Sequence, residues 1–366
     1  MNNNPTVLEI RLSSIEHNLN FFRSKLQNST KVLAVVKASG YGSDAVAVAQ
    51  LLETLKIDYF AVAYTDEGIA LRNAGIKTPI LVLHPQLKNL ELIIQYNLEP
   101  NLYSKKILLA FLKLSHKSGM LEYPIHLKFN TGLNRLGFKD FDMAFLSNHL
   151  KDQRSVLLKS IFSHLAASED ENERDYTLNQ INAFKSIATS FELALGFRPM
   201  MHMSNTSGIL NYPEAHFDMV RLGLGLYGFS NDQEVNSNLK NVISLKSVIS
   251  QIHEIDKNES VGYNHGFIAK KHMRTATIPL GHADGFFRCL GQGKVFVKIN
   301  GKKAPIIGNI CMDMVMIDVT DMSCEEGDEV VIFDSQQEIL ELAFQAETIS
   351  YEILTAFGSR IKRMSH

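Results

Sequence analysis

Residues 31–42 read KVLAVVKASGYG. An apolar, β-branched run leads into one lysine, Lys37, and ends in Ser39-Gly40-Tyr41-Gly42. The run has the composition of a strand buried on both faces, and the glycine-rich tail reads as the turn that leaves it. Lys37 is therefore expected at the carboxyl end of a strand, where parallel α/β proteins gather their chemistry. A lysine there has two readings. It snorkels to solvent from the strand terminus, or its deprotonated ε-amine is a nucleophile that forms an imine with an aldehyde.

On either side of this stretch, the first two thirds of the chain alternate. Strand-like segments at 31–38, 58–64, 79–84, 99–103, 123–129, 156–165, 198–204 and 217–223 are interleaved with amphipathic stretches such as 44–55, 66–75, 104–119 and 173–191. About eight β/α units in roughly 230 residues match the count and span of a (β/α)8 barrel. A doubly wound open sheet is the competing arrangement. Polar residues at nearly every strand's carboxyl end, rather than at one switch point, favour the barrel. From about residue 232, short strands and turns take over at 242–253, 275–279, 294–297, 302–307, 314–318 and 329–333. Asn300-Gly301 is a hairpin signal, and a helix is expected near 338–357. The predicted fold is thus α/β: a (β/α)8 TIM barrel over residues 8–231, followed by a mostly-β C-terminal domain over 232–366. An N-terminal strand within residues 1–8 is a candidate to join that second domain.

Composition narrows the function classes. The 366 residues are 45% hydrophobic and 21% charged, with a formal net charge of -2. That balance argues against a nucleic-acid partner, whose electrostatic footprint is basic. Cys289, Cys311 and Cys324 are too few and too scattered for a disulfide framework or a zinc site, so no metal is expected. The start, MNNNPTVLEIRL, is not a basic region followed by an apolar core, and no apolar run approaches the ~20 residues of a membrane helix. A cytoplasmic protein without a membrane partner is expected.

Several constellations carry potential chemistry. Residues 125–138, IHLKFNTGLNRLGF, set Lys128 and Arg135 around a Thr-Gly turn. The pair is either solvated loop charge or a site for an anionic group. Ser163-His164 ends another strand; the histidine is either a hydrogen-bonded structural residue or an imidazole lying against a flat ring. Residues 202–208 bring Asn205, Thr206 and Ser207 to the start of a short helix, and Arg221-Leu222-Gly223-Leu224-Gly225 follows. These are either ordinary helix caps or a phosphate site of the kind barrels form after their last two strands. In the β region, Tyr263, His282 and Met312 occupy glycine-flanked polar islands, and Tyr351 falls in the expected terminal helix. Each tyrosine is alternatively a core or interface ring.

In order along the chain, AVVKASGYG, LKFNTGLNRLGF, FSHLAASED, SNTSG, VRLGLGLYG, SVGY, GHADGF and IGNICMDMVMIDV resemble the alanine racemases, pyridoxal-phosphate enzymes of fold type III. The match runs from about Val7 to Arg363. The resemblance implies racemisation of L- and D-alanine by two bases, supplying D-alanine for peptidoglycan. It makes Lys37 the residue bonded to pyridoxal 5'-phosphate and one base, and Tyr263 of a partner subunit the opposite base. Tyr41, Thr206, Gly223, Leu224 and Tyr351 would hold the phosphate, with Asn205 beside them. His164 would face the cofactor ring, and Arg221 would bond the pyridine nitrogen. Arg135 would contact the cofactor's phenolic oxygen, and Met312 of the partner would bind the substrate carboxylate. Lys128 matches a position often carbamylated in the family. A homodimer with shared active sites follows from these assignments.

The chain departs from the family pattern in four places. Lys37-Ala38-Ser39-Gly40-Tyr41-Gly42-Ser43 stands where Lys-Ala-Asn-Ala-Tyr-Gly-His is usual. Thr206 replaces a serine, Asn130 an aspartate, and His282 a tyrosine at the substrate entrance. The His282 change keeps a broad-specificity racemase as an alternative. A non-enzymatic pyridoxal-phosphate-binding protein is a further one, opposed by the long C-terminal extension. Arg221, rather than a glutamate, argues against a decarboxylase of the same architecture.

Overall fold

Eight short, almost wholly buried strands close on themselves. The computed structural model describes residues 4–366, so the first three residues of the expected N-terminal strand lie outside the described residues. After β1 (Val7–Ile10), the barrel strands are β2 (Lys31–Val35), β3 (Tyr59–Val62), β4 (Ile80–Val82), β5 (Glu99–Leu102), β6 (Tyr123–Lys128), β7 (Val156–Phe162), β8 (Met200–His202) and β9 (Met219–Leu222). They pair in sequence order, and β9 pairs in parallel with β2 to close the barrel. Each strand lies within an expected segment and is shorter than it, because the polar carboxyl ends leave the ladder as βα loops. The crossover helices are amphipathic. Lys105–Lys117 buries Ile107, Leu108, Phe111, Leu112 and Ser115, one stripe at helical spacing. Asp44 caps Ala45–Thr54 by accepting from the Val46 and Ala47 amides.

The remaining strands are β10 (Ile243–Val248), β11 (Gln251–Ile255), β12 (Ser260–Val261), β13 (Phe267–Ile268), β14 (Met273–Ile278), β15 (Phe296–Ile299), β16 (Lys302–Ile307), β17 (Val315–Asp318), β18 (Glu329–Phe333) and β19 (Lys362–Ser365). Nine strands form one sheet in the order β11-β14-β17-β16-β15-β18-β10-β1-β19. β1 therefore sits in this sheet, antiparallel to β10 and parallel to β19. Asn300 and Gly301 both take positive φ, +50° and +77°, in the tight turn that joins β15 to β16.

Two expectations need correction. The strand expected over 242–253 is two strands, because the chain leaves the ladder at Ile249 and Ser250; β10 then pairs with β18 and β11 with β14. The helix expected over 338–357 is also two, Gln336–Gln345 and Ser350–Ala356, separated at Glu347, whose φ is +54°. A continuous α-helix has no place for a left-handed residue. One apolar core runs through both parts, from Leu33 and Phe60 in the barrel to Leu245 and Ile306 in the sheet.

Candidate active site

β2 stops at Val35, and Lys37 opens the next turn, Lys37–Tyr41. Ala38, Ser39, Gly40 and Tyr41 all have positive φ, at 52°, 55°, 67° and 54°. A non-glycine residue in this left-handed region costs about 1–2 kcal/mol, so neighbours must hold the turn in place. Glu67 does so from below. One carboxylate oxygen accepts from the Ala38 amide at 2.6 Å, and the other accepts from Ala63 and Tyr64 at 2.7 and 3.1 Å. From the sheet side, the helix Ser350–Ala356 closes on Gly42, where a Cβ would run into the Leu354 carbonyl. The Lys37 amine is half-buried. Burial and the Arg135 charge lower its pKa against the opposing pull of Glu67, which raises the neutral, nucleophilic fraction.

Around Lys37 the barrel gathers positive charge. Lys128, the last residue of β6, is buried, and desolvation together with Arg221, Arg135 and Lys37 brings its amine down to about 7. Its ammonium lies 5.8 Å from the centre of the Phe162 ring. Arg221 on β9 is buried and densely bonded. Its guanidinium donates to the carbonyls of Ser163 and Met203 at 2.7 and 2.8 Å, and to Nδ1 of His164 and of His202 at 2.9 and 3.0 Å. Burial and Arg135 lower it to about 9, which leaves it charged at neutral pH. Burial holds both histidines well below the usual imidazole range, helped at His164 by Arg221, Lys128, Arg135 and Lys37 and at His202 by Arg221 and His126, so both are neutral. Lys37, Lys128, Arg135 and Arg221 make this end of the barrel electropositive, a setting that favours an anionic ligand.

Two adjoining cavities open at this end of the barrel. One, of about 660 Å³, is lined by Arg135, His164, Asn205, Thr206, Leu224 and Tyr351 among others; the second, of about 680 Å³, is lined by Lys37, Tyr41 and Tyr351. Tyr41 stacks on Tyr227 with ring centres 4.6 Å apart and leans on Tyr351 at 5.9 Å. Its hydroxyl rests against Gly223, where any Cβ would collide with it. Burial raises the pKa of both Tyr41 and Tyr351, so they remain phenols and hydrogen-bond donors. Asn205 is occupied as a cap: its side-chain oxygen accepts from Gly208 N and Ser168 Oγ, both at 2.8 Å. Thr206 Oγ1 accepts from the Gly225 amide at 3.2 Å, tying the Asn205–Ser207 turn to the Gly223–Gly225 turn.

The structure thus brings Lys37, Tyr41, Lys128, Arg135, His164, Asn205, Thr206, Arg221, Gly223, Leu224 and Tyr351 to one end of the barrel. Tyr263, His282 and Met312 are elsewhere. All three are exposed on the sheet domain, Tyr263 by 70% and Met312 by 60%, and none lines the two cavities. The carbonyl of Tyr263 accepts from Asn309, and the His282 amide donates to Cys311. Sequence reasoning missed Glu67, which holds the lysine turn, and Tyr227, which backs Tyr41. It also missed the chain of Glu99, His126, Ser160 and His202 beneath Arg221. The signal for that chain was present, since strands buried on both faces are ordinarily apolar.

Comparison with known proteins agrees with this geometry. The pattern of the alanine racemase N-terminal domain matches residues 10–231, and that of the C-terminal domain matches residues 242–365. The alanine racemase of Rickettsia akari is 38% identical, over 98% of this chain and 98% of that protein. The solved alanine racemase of Clostridium difficile superposes with a TM-score of 0.94 at 30% identity, covering 100% of this chain and 97% of that one. The Bartonella henselae alanine racemase with covalently bound pyridoxal phosphate superposes with a TM-score of 0.88 at 29% identity, over 99% of each chain. Among the described residues, no helix is long and apolar enough to cross a membrane. Barrel, sheet domain and nearly the whole sequence agree on one assignment: the chain is an isomerase of the alanine racemase family.

Proposed function

We propose that this protein interconverts L- and D-alanine with pyridoxal 5'-phosphate held at the barrel mouth and a site completed by a second subunit. One observation carries the reading. A lysine with a lowered pKa stands beside three further cations and a tyrosine-lined cavity, which matches the needs of an anionic aldehyde cofactor. Lys37 would bond the aldehyde. Tyr41, Thr206, Tyr351 and the Gly223-Leu224 turn, with Asn205 behind them, would hold the phosphate, and the absence of a Cβ at Gly223 leaves the Tyr41 hydroxyl room to reach it. His164 would lie against the ring and Arg221 at its nitrogen. When bound, the cofactor supplies a conjugated ring that stabilises negative charge at the substrate Cα.

The chain's own residues account for the rest. Lys37 moves a proton on one face of Cα, with burial and Arg135 favouring its neutral amine. Tyr263 of the partner subunit moves it on the other face. Arg221 is a poor proton donor to a pyridine nitrogen, and the neutral His164 and His202 beside it offer no excess proton either. Arg135 and Met312 of the partner would hold the substrate. Lys128, its amine lowered to about 7, would take up carbon dioxide as a carbamate, gaining a negative charge and releasing a proton. That carbamate would place an anion among Lys37, Arg135 and Arg221.

Exposure of Tyr263 and Met312 supports a two-fold dimer in which each sheet domain covers the other subunit's barrel. Division of the chain near residue 231, a cytoplasmic location and supply of D-alanine to peptidoglycan belong to the same reading. Borohydride reduction followed by peptide mass mapping tests it: a pyridoxyl adduct on Lys37, with D-alanine formed from L-alanine, is expected. An unmodified Lys37 in active enzyme would refute the assignment. Parallel assays with L-serine and L-lysine decide between alanine and broad specificity, which the His282 replacement bears on.

A further inference from the structure

The residues on either side of Lys37 are both tied by their amides to the neighbouring β3 segment. Val36 donates to the Ala61 carbonyl at 2.9 Å. Ala38 donates to Glu67 Oε1 at 2.6 Å. Glu67 is the third residue of the helix Thr65–Asn73, and its Oε2 accepts from the Ala63 and Tyr64 amides at 2.7 and 3.1 Å. Ala63 is fixed in turn, because its carbonyl accepts from the His84 amide at 2.9 Å. A carboxylate at this helix position commonly reaches back to the cap amide. Here one oxygen does so, and the other fastens the peptide between Lys37 and Ala38 to the barrel.

Packing does not hold the turn at this point. Ala38 and Ser39 are exposed, yet both keep positive φ, 52° and 55°. That conformation costs a non-glycine residue about 1–2 kcal/mol, so Ala38 relaxes toward negative φ once its amide is released. Lys37 shares the peptide plane, and its backbone must rotate with it.

We propose that Glu67 is a positioning residue for Lys37: its two carboxylate oxygens hold the peptide after the lysine against the end of β3, and so set where the amine stands in the cavity lined by Lys37, Tyr41 and Tyr351. The inference rests on the assignment of Lys37 to the cofactor aldehyde made above. Only a carboxylate meets the arrangement. Three N–H donors converge on two oxygens, whereas a glutamine offers one oxygen and a donating nitrogen. Turned toward β3, that oxygen keeps two bonds; turned toward Ala38, it keeps one. Glu67→Gln should therefore retain the helix cap and lose Ala38, where donor would face donor. Loss of charge acts in the opposite sense. Burial and Arg135 lower the Lys37 pKa and the Glu67 charge opposes them, so removing that charge alone increases the neutral amine that bonds an aldehyde.

A competition on the intact holoenzyme, at fixed total pyridoxal 5'-phosphate, tests the proposal. Pyridoxamine 5'-phosphate has the same ring and phosphate but no aldehyde. The aldehyde form bonds the lysine with release of one water; the amine form binds without that bond. The concentration of amine form that removes half of the visible band compares the two, and any weakening of shared ring or phosphate contacts cancels. A large excess is expected for wild type. In Glu67→Gln the half-displacing concentration should fall by about 10–100-fold, the scale of a misplacement near 1 Å. Glu67→Asp keeps the charge but is one methylene too short to bridge Ala38 and Ala63, and the same fall is expected. Glu53→Gln alters a carboxylate that accepts from the Lys77 and Thr78 amides ahead of β4, and should match wild type.

A wild-type value in Glu67→Gln or in Glu67→Asp overturns the inference, as does an equal fall in Glu53→Gln. Should Glu67→Gln fail to fold, Glu67→Asp, which keeps its negative charge at the helix start, decides alone. A wild-type enzyme displaced at equal concentrations, with no borohydride adduct on Lys37, sinks the functional reading itself. A wild type that resists displacement, with variants that resist it equally, sinks only the role of Glu67.

Discussion

The barrel mouth and the exposed islands of the sheet domain are built in opposite ways. Arg221 makes four hydrogen bonds and is 5% exposed. Lys128 is buried among cations, and Lys37 stands on a turn braced by Glu67 and by the helix at Leu354. Tyr263 and Met312 instead project into solvent from glycine-flanked turns. Buried, hydrogen-bonded groups are prepared for their task before any ligand arrives. Exposed groups on short turns are free to meet another surface. On the function proposed above, the barrel would bind the cofactor and a second copy of the sheet domain would complete the site.

The largest expected effect bears on the barrel half. Lys37→Ala should lower racemisation by roughly 10⁴-fold or more and abolish the cofactor's visible band; retention of both would break the comparison at its stronger side. Tyr263→Phe bears on the other half. Loss of one general base costs about 10²–10⁴-fold, yet the visible band should persist, because the tyrosine takes no part in holding the cofactor. A Tyr263→Phe protein that has lost its band would mean the two halves are not separable.

Smaller effects sharpen the picture. In Gly223→Ala the new methyl collides with the Tyr41 hydroxyl, and such overpacking costs about 1–3 kcal/mol. A lower thermal midpoint is expected, with weaker cofactor retention on dialysis, whereas an alanine at Gly301, where nothing lies within 4 Å of the added Cβ, should leave retention unaltered. The smallest effect is a reactivity difference. With its amine lowered to about 7, Lys128 is mostly charged below that pH and mostly neutral above it. At pH 8 and limiting reagent, in protein stripped of cofactor, cyanate should therefore carbamylate Lys128 ahead of exposed lysines such as Lys31, and the preference should fade by pH 6.

The same contrast explains what could be read from the sequence. Strands buried on both faces leave apolar runs, so strands such as β2, β3 and β4 were visible as such, and the Asn300-Gly301 turn announced its own hairpin. Lys37, Arg221 and the hydroxyl turn at Thr206 stood out because their types are out of place at apolar strand ends. Breaks inside elements were less visible: nothing local marks the exit of the chain at Ile249 or the left-handed residue at Glu347, which tertiary packing imposes. Glu67 and Tyr227 act through contacts with distant segments, and a contact leaves no mark on its own neighbourhood. The Glu99–Arg221 column was legible only as five polar residues in strands that should have been apolar.

Mixed dimers test the central claim most directly. Inactive Lys37→Ala and inactive Tyr263→Phe chains are unfolded together and refolded, or are co-expressed. If each site takes its lysine from one chain and its tyrosine from the other, half of the dimers are mixed and each contains one intact site. Activity should return to about a quarter of the wild-type value. Activity that stays at the level of the separate variants, in preparations shown to contain mixed dimers, would contradict the shared site.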